Sequence, residues 1–288
     1  MQMKNKVKSE KGSMTVYVTV AVVTFTIILT AVFSLAVATR KNQIKTLIKI
    51  KEVYEQDNSK KEELHNKIKS QLYIKNGLTI QYDAINNTGS GHDNITITWK
   101  DLSGNNNDGA LTNMDINSVT SNWAENYISF NGQNNYILVP SSDSINSNAY
   151  TIEMVFNQEA IINEDKSVLI AKAGEYTIEL NADNTISYGI GSNNEYYKTM
   201  QIINLNKIYY IAVTYENNFQ KIYVNGELIG QSTVDGTVSQ TQADLTIGAN
   251  NTSYPFKGKI YATRIYNRSL TENEILQNFN IDKQKYVI

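Results

Sequence analysis

An all-β antiparallel sandwich behind one membrane-spanning helix is the fold class the sequence predicts, and three observations predict it. From Met14 to Ala38 the chain carries no charged residue. Beyond Gly77, short apolar or alternating runs are separated by Asn, Gly, Asp and Ser clusters, the pattern of strands joined by tight turns. The composition agrees: 19 Tyr, only 2 Pro and abundant Asn, Thr, Ile and Val favour pleated surfaces over helical bundles.

The totals exclude several classes of function. The 26 Lys and Arg nearly balance the 28 Asp and Glu, so the net charge of -2 offers no attraction for nucleic acid. The chain has no cysteine, which removes disulfides, thiolate metal sites and thiol nucleophiles. At 41% hydrophobic content, 288 residues suffice for a sizeable core.

As a helix rising about 1.5 Å per residue, residues 14–38 exceed the roughly 30 Å of a bilayer's hydrocarbon. The run is apolar all round apart from scattered Thr and Ser, unlike the striped helix of a soluble core. It is also longer than the roughly 7–15 residues of a cleaved signal's apolar region. Lys4, Lys6, Lys8 and Lys11 precede it, and Arg40, Lys41, Lys45, Lys49 and Lys51 follow it. Charge asymmetry is therefore nearly neutral on orientation. Residues 1–13 read as a basic cytoplasmic leader and 14–38 as the transmembrane helix. Residues 39–76 read as a helical stalk and 77–288 as the β-sandwich.

The stalk places Ile44, Leu47, Ile48 and Tyr54, then Leu64, Ile68 and Leu72, at helical spacing among charges, interrupted at Asp57-Asn58-Ser59. His65 is one solvated polar residue of that surface. Asn76-Gly77 is a helix stop, after which the period becomes alternating. In Thr151–Phe156, Ile152, Met154 and Phe156 share the core face and Thr151, Glu153 and Val155 the other. Tyr209–Tyr215 turns Ile211 and Val213 inward. Asn225-Gly226, between Lys221–Val224 and Glu227–Ile229, supplies the two positive φ angles of a type I′ hairpin turn. Thr271-Glu272-Asn273-Glu274 fits a capping box before a short helix striped by Ile275, Leu276 and Phe279.

Taken in order, these residues resemble the concanavalin A-like jelly rolls, and especially their laminin G-like branch. The matching pieces are Gly77-Leu78 through Tyr82-Asp83, Trp99-Lys100-Asp101-Leu102-Ser103-Gly104-Asn105, Phe130-Asn131-Gly132, the strand 151–156, Ile222–Gly226, Ile247-Gly248 and Gly258–Tyr261 leading to Ile265–Thr271. They span residues 77–286 in family order. The resemblance implies two stacked antiparallel sheets and an extracellular module that holds a glycan or a cell-surface protein. It thereby places the N-terminus inside, with the C-terminal domain outside a single-pass cell-membrane anchor. On that reading Tyr188, Tyr196 and Tyr197, beside Asn193 and Asn194, are candidate ligand-binding residues. Separately, Glu10-Lys11-Gly12-Ser13-Met14-Thr15-Val16 resembles the processing region of type IV pilin-like and tight-adherence pilin proteins. Counted from Ser13, however, Tyr17 stands where those families place Glu. A plain signal anchor and a structural subunit of a pilin-like assembly both stay open.

Catalysis is not expected. Glycoside hydrolases of this fold carry two glutamates flanking an aspartate on one strand, because glycoside cleavage needs paired carboxylates. The sequence has no such run, so a divergent glycoside hydrolase ranks last among the readings. Glu125 and Glu164-Asp165 fall in turn contexts. The domain's one histidine, His92, sits in a Gly-Ser-Gly-His loop with no serine-activating partner in view. The loop 101–109 places oxygens at alternate positions Asp101, Ser103, Asn105 and Asn107, with Asp108 beside them. This spacing could wrap a calcium ion, with Asp83 and Asp93 as further ligands. The same residue types are also what tight turns demand.

Overall fold

The structure is a computed structural model describing residues 2–55, 72–118, 120–162, 164–190, 195–234, 238 and 240–288. The chain divides into two compact units, Met1–Lys69 and Ser70–Ile288.

In the first unit, α1 (Gln2–Glu55) is one unbroken helix. Its section Val16–Thr46 is long and apolar enough to cross a membrane, and every side chain along it is exposed. The hydroxyls of Thr24, Thr26, Thr30, Thr39 and Thr46 each donate to the carbonyl four residues back, at 2.7–2.8 Å. The scattered threonines are thus satisfied within the helix, as hydrocarbon surroundings require. Of the predicted stalk, Ile44, Leu47, Ile48 and Tyr54 fall on α1. Asp57–Ser59, Leu64, His65 and Ile68 lie outside the described residues.

The second unit is the expected antiparallel sandwich of two sheets. Its strands are β1 (Leu78–Asp83), β2 (Thr98–Trp99), β3 (Gly109–Thr112), β4 (Trp123–Ala124), β5 (Tyr127–Asn131), β6 (Tyr136–Val139), β7 (Tyr150–Gln158), β8 (Lys166–Lys172), β9 (Tyr176–Asn181), β10 (Thr185–Ile190), β11 (Glu195–Ile202), β12 (Ile208–Glu216), β13 (Phe219–Val224), β14 (Glu227–Thr233), β15 (Leu245–Ile247) and β16 (Lys257–Tyr266), and helix α2 (Glu272–Tyr286) follows them. The first sheet runs β14-β13-β12-β7-β16-β5-β4, with β1 also on β16; the second runs β11-β10-β9-β8-β15-β6-β3-β2. β16 pairs with β7 on one side; on the other it pairs with β5 through Ile260 and with β1 from Ala262 onward.

Alternation places Ile152, Met154 and Phe156 of β7 and Ile211 and Val213 of β12 in the core between the sheets. The opposite face of β7 is not solvated, contrary to the one-sided pattern: Thr151, Glu153 and Val155 are also buried. Helix α2 covers that outer face, where Ile275, Phe279 and Tyr286 join Val155, Tyr210, Ala212 and Tyr223 in a second apolar cluster. The helix starts as expected. Thr271 Oγ1 accepts from Glu274 N, and the Glu274 carboxylate accepts from Thr271 N at 2.9 Å. The hairpin turn beneath it is also as expected, with φ of 50° at Asn225 and 80° at Gly226. A Cβ on Gly226 would stand 2.6 Å from Phe279, so the helix needs this glycine as much as the turn does.

Residues 72–76 depart from the predicted stalk. Leu72 fits the helical stripe, yet the segment is not helical and is strapped to the sandwich. Gln277 Nε2 donates to Leu72 O at 2.6 Å, Ile74 N to Asn278 Oδ1 at 3.0 Å and the Tyr266 hydroxyl to Ile74 O at 3.2 Å. Beneath the strap, Arg264 bridges two buried carboxylates. Its Nε donates to Glu153 at 2.6 Å, and Nη1 and Nη2 grip Asp282, a two-pronged contact that a guanidinium makes and an ammonium does not. The Tyr73 and Tyr210 hydroxyls donate to Asp282 and Glu153, both at 2.7 Å, and Asn278 Nδ2 adds bonds to Glu153. Burial pushes the Glu153 carboxyl upward despite the opposing pull of Arg264.

Candidate functional site

The loop after β2 is anchored by Trp99, fully buried and stacked on Tyr82 with ring centres 5.2 Å apart. The side-chain oxygens of Asp101, Ser103, Asn107 and Asp108 are occupied by the protein itself. Asp101 Oδ1 accepts from Gln81 N and Ser103 N, both at 2.9 Å; Oδ2 accepts from the Ser103 hydroxyl at 2.7 Å and Asn107 N at 3.1 Å. Asp108 accepts from Asp101 N and pairs with Lys100 at 2.8 Å. Asn105 and Asn107 both donate to Thr79 O, and Asn107 Oδ1 accepts from Ser142. The alternate spacing therefore builds a self-contained hydrogen-bond lock fastening the loop to β1. Asp83 and Asp93 are engaged elsewhere. Asp83 caps a short turn through Ile85 N and binds Lys285 and Tyr286 of α2, while Asp93 accepts from Ile95 N. Among the described residues no three His, Cys, Asp or Glu side chains are grouped to hold a metal. His92 uses both ring nitrogens locally, on Ala84 O and Asn94 Oδ1.

The other candidate residues lie on β10 and β11. Tyr188 pairs directly with Tyr197. Both face inward: Tyr188 is wholly buried and Tyr197 packs against the core, with ring centres 5.4 Å apart. Tyr188 is a packing residue, a correction forced by strand alternation, whereas Tyr197 packs on the core while only partly buried. Tyr196 faces the opposite way and is 41% exposed. Asn193 and Asn194 lie outside the described residues.

Tyr196 borders a cleft of about 180 Å³ on the outer face of the second sheet, floored by Ala171, Thr177 and Gly189 and rimmed by residues 172–176 and Asn250. Gly189 lets the tyrosine lie close, since a Cβ there would stand 2.8 Å from its ring. Burial, then the charge and hydrogen bond of Glu179, raise the Tyr196 hydroxyl pKa, so the ring stays neutral. Glu179 in turn pairs with Lys166 at 3.0 Å. Burial works against the Lys166 ammonium, but its Glu179 partner prevails and its pKa is raised. The rim beside β8 is pinned by a buried pair, Lys172 with Glu175. Lys172 also donates to Asn146 Oδ1 at 2.6 Å, and Glu175 accepts from Thr241 N at 2.7 Å. The loop between β15 and β16 brings Asn250 to the cleft and Tyr254 beside it. It is closed by Phe256 N on Gly248 O and by reciprocal bonds between Asn250 and Ser253, and it is tied to β8 by Val168 N on Tyr254 O. Sequence reading found Tyr196 alone of this set. The charge alternation of Lys166 and Glu179 on neighbouring strands was its other available signal.

The family model for the concanavalin A-like lectin/glucanases superfamily matches residues 131–276. No curated protein matches the sequence. Among solved structures, the chain is similar to Trypanosoma rangeli sialidase in complex with sialic acid, with 16% identity and a TM-score of 0.56 over 73% of this chain and 33% of that one. The chain thus spans about a third of that sialidase's length. It is also similar to domain 4 of AbnA, a GH43 extracellular arabinanase from Geobacillus stearothermophilus in complex with arabinotriose, with 23% identity and a TM-score of 0.53 over 69% of this chain and 96% of that domain. A third match is the binding domain of Paraclostridial Mosquitocidal Protein 1, with 17% identity and a TM-score of 0.50 over 72% and 52% of the two chains. At these identities the likeness is one of fold.

Proposed function

Because the chain belongs to the concanavalin A-like lectin/glucanases superfamily, we propose that it is a membrane-anchored recognition module that binds carbohydrate on the outer face of its second sheet. The observation carrying this reading is the cleft at Tyr196: an exposed aromatic ring over a floor of small residues, with an exposed amide at Asn250 on its rim. Aromatic rings cover apolar sugar faces while amides bond hydroxyls. Binding is favoured over hydrolysis because Glu175, which lines the cleft, and Glu179, which neighbours it on β9, are each held by a lysine. Glycoside cleavage needs a carboxyl pair at a set separation. α1 supports the anchor, and the outside position of the sandwich rests on the resemblance to extracellular modules. The test is a glycan array with full-length protein in detergent, including arabinotriose and sialylated glycans as probes, followed by Tyr196→Ala. Array signals that vanish with Tyr196→Ala are expected. Silence on the array, or signals indifferent to the substitution, would overturn the reading; turnover of any arrayed glycan would replace it with hydrolysis. Protease digestion of intact cells should remove the sandwich.

A second reading, a subunit of a pilin-like assembly, draws support from α1 running without a break through Gly12-Ser13 to Glu55. Mass analysis of the mature N-terminus separates the two. A start at Ser13 favours assembly, and an intact leader favours simple anchoring.

A further inference from the structure

We infer that Tyr196 and Tyr254, joined by Lys166, form a two-ring platform that takes two consecutive units of an uncharged oligosaccharide; this rests on the carbohydrate reading above. The two tyrosines come from different elements, β11 and the loop before β16, yet both rings meet one ammonium. Lys166 Nζ lies 5.1 Å from the Tyr196 ring centre and 4.8 Å from that of Tyr254. Neither ring belongs to the hydrophobic core, and they are 41% and 40% exposed. Two large exposed rings meeting one ammonium on this sheet face suit an interaction surface.

Tyr254 is held at φ of 53°, a left-handed conformation that an aromatic residue adopts at a cost. The bonds that close its loop keep it there, with the ring on the same face as the cleft. The row is also fixed before any ligand arrives. Glu179 holds Lys166, and the Lys166 ammonium lies against both rings. A platform ordered in advance loses less entropy on binding.

The occupant's size and charge follow. A space of about 180 Å³ is below the roughly 300–1,000 Å³ of sites for drug-sized ligands, so the cleft admits one sugar ring and the rest of the chain must lie outside it. Tyr254 is not among the residues lining the cleft, and its exposed ring is the aromatic surface on which a second unit would lie. The lysines of this face are matched, Lys166 by Glu179 and Lys198 by Asp183, which leaves no net positive charge for an acidic sugar.

The test titrates full-length protein in nanodiscs with mono-, di- and trisaccharides of glucose, galactose and xylose, and with sialyllactose. In the series that binds, the disaccharide is expected to bind roughly fivefold to tenfold tighter than the monosaccharide, as one added aromatic contact supplies, and the trisaccharide to add little. Tyr254→Asn, which tolerates the left-handed backbone, should abolish that gain and leave the monosaccharide unaffected; Tyr196→Ala should weaken both. In the wild type, ring proton shifts of both tyrosines should move with the disaccharide. A gain that survives Tyr254→Asn, shifts confined to Tyr196, or preference for sialyllactose would overturn the platform while the carbohydrate reading stands. Absence of binding to every probe and to a full glycan array would overturn both.

Discussion

The Arg264 guanidinium lies 4.3 Å from the centre of the Tyr73 ring, and the Tyr73 hydroxyl bonds the carboxylate that the same guanidinium grips. One residue of the incoming strap thus closes over a buried charge network linking β7, β16 and α2. Replacing Arg264 by Met leaves Glu153 and Asp282 buried without a counter-charge. We expect about 3–5 kcal/mol of lost stability in urea unfolding. A loss below about 1 kcal/mol would show that the network is not what holds α2 down.

Arg268 and the capping box hold the Glu274 carboxyl at about 2, below its ordinary 4.5. The hydrogen bond from Arg268 is the largest cause. Because the folded pKa is depressed, the stabilisation is complete above about pH 4.5 and disappears as pH falls toward 2. In Glu274→Gln the decline of stability across that window should be shallower than in the wild type. Parallel curves from acid-unfolding midpoints would contradict this.

Thr271→Ala removes the acceptor for Glu274 N and should cost about 1 kcal/mol, read as a lower urea midpoint with unchanged slope. At Gly226, alanine meets both a positive φ and the Phe279 ring, so its cost should exceed that of the lost cap. Equal costs would mean that α2 shifts freely on the hairpin.

Asp101 accepts four hydrogen bonds while almost wholly buried. Asp101→Ala should therefore destabilise the sandwich by roughly 3 kcal/mol or more. Since those oxygens are already engaged, added calcium should leave the wild-type melting midpoint unchanged. A calcium-dependent rise abolished by Asp101→Ala would instead make the loop a metal site.

After alkaline carbonate extraction, full-length protein should remain in the membrane pellet, held by Val16–Thr46. Recovery in the soluble fraction would remove the anchor from the proposed function.

Periodicity made most of the sandwich legible. The strand at 151–156, the Asn225-Gly226 turn and the capped helix all rest on local rules that the packing does not override. The site was less legible because sheet faces are assigned in space. Tyr196 and Tyr197 are adjacent and must point opposite ways, but the sequence does not say which one meets solvent. Tyr188 follows Tyr197 inward because the two are register partners. Tyr254 sits among Asn, Thr and Ser and reads as loop filler, since its contact with Lys166 depends on the closure of a loop far along the chain. Leu72 continued the helical stripe by coincidence of spacing, while the partners that bind its neighbours lie beyond residue 263.

β16 lies at the middle of its sheet although it is the last strand in chain order, and its partners β1, β5 and β7 leave the ribosome well before it. β7 can pair with β12 beforehand, but β1 and β5 are not joined to that half of the sheet until residues 257–266 are made, so the sandwich closes late and through pairings distant in sequence. The hydrophobic segment is synthesised before the sandwich and can engage a membrane while the strands behind it are still unfolded. If the sandwich is carried across the bilayer, as the proposed function has it, a keystone that arrives last keeps the polypeptide extended for that passage.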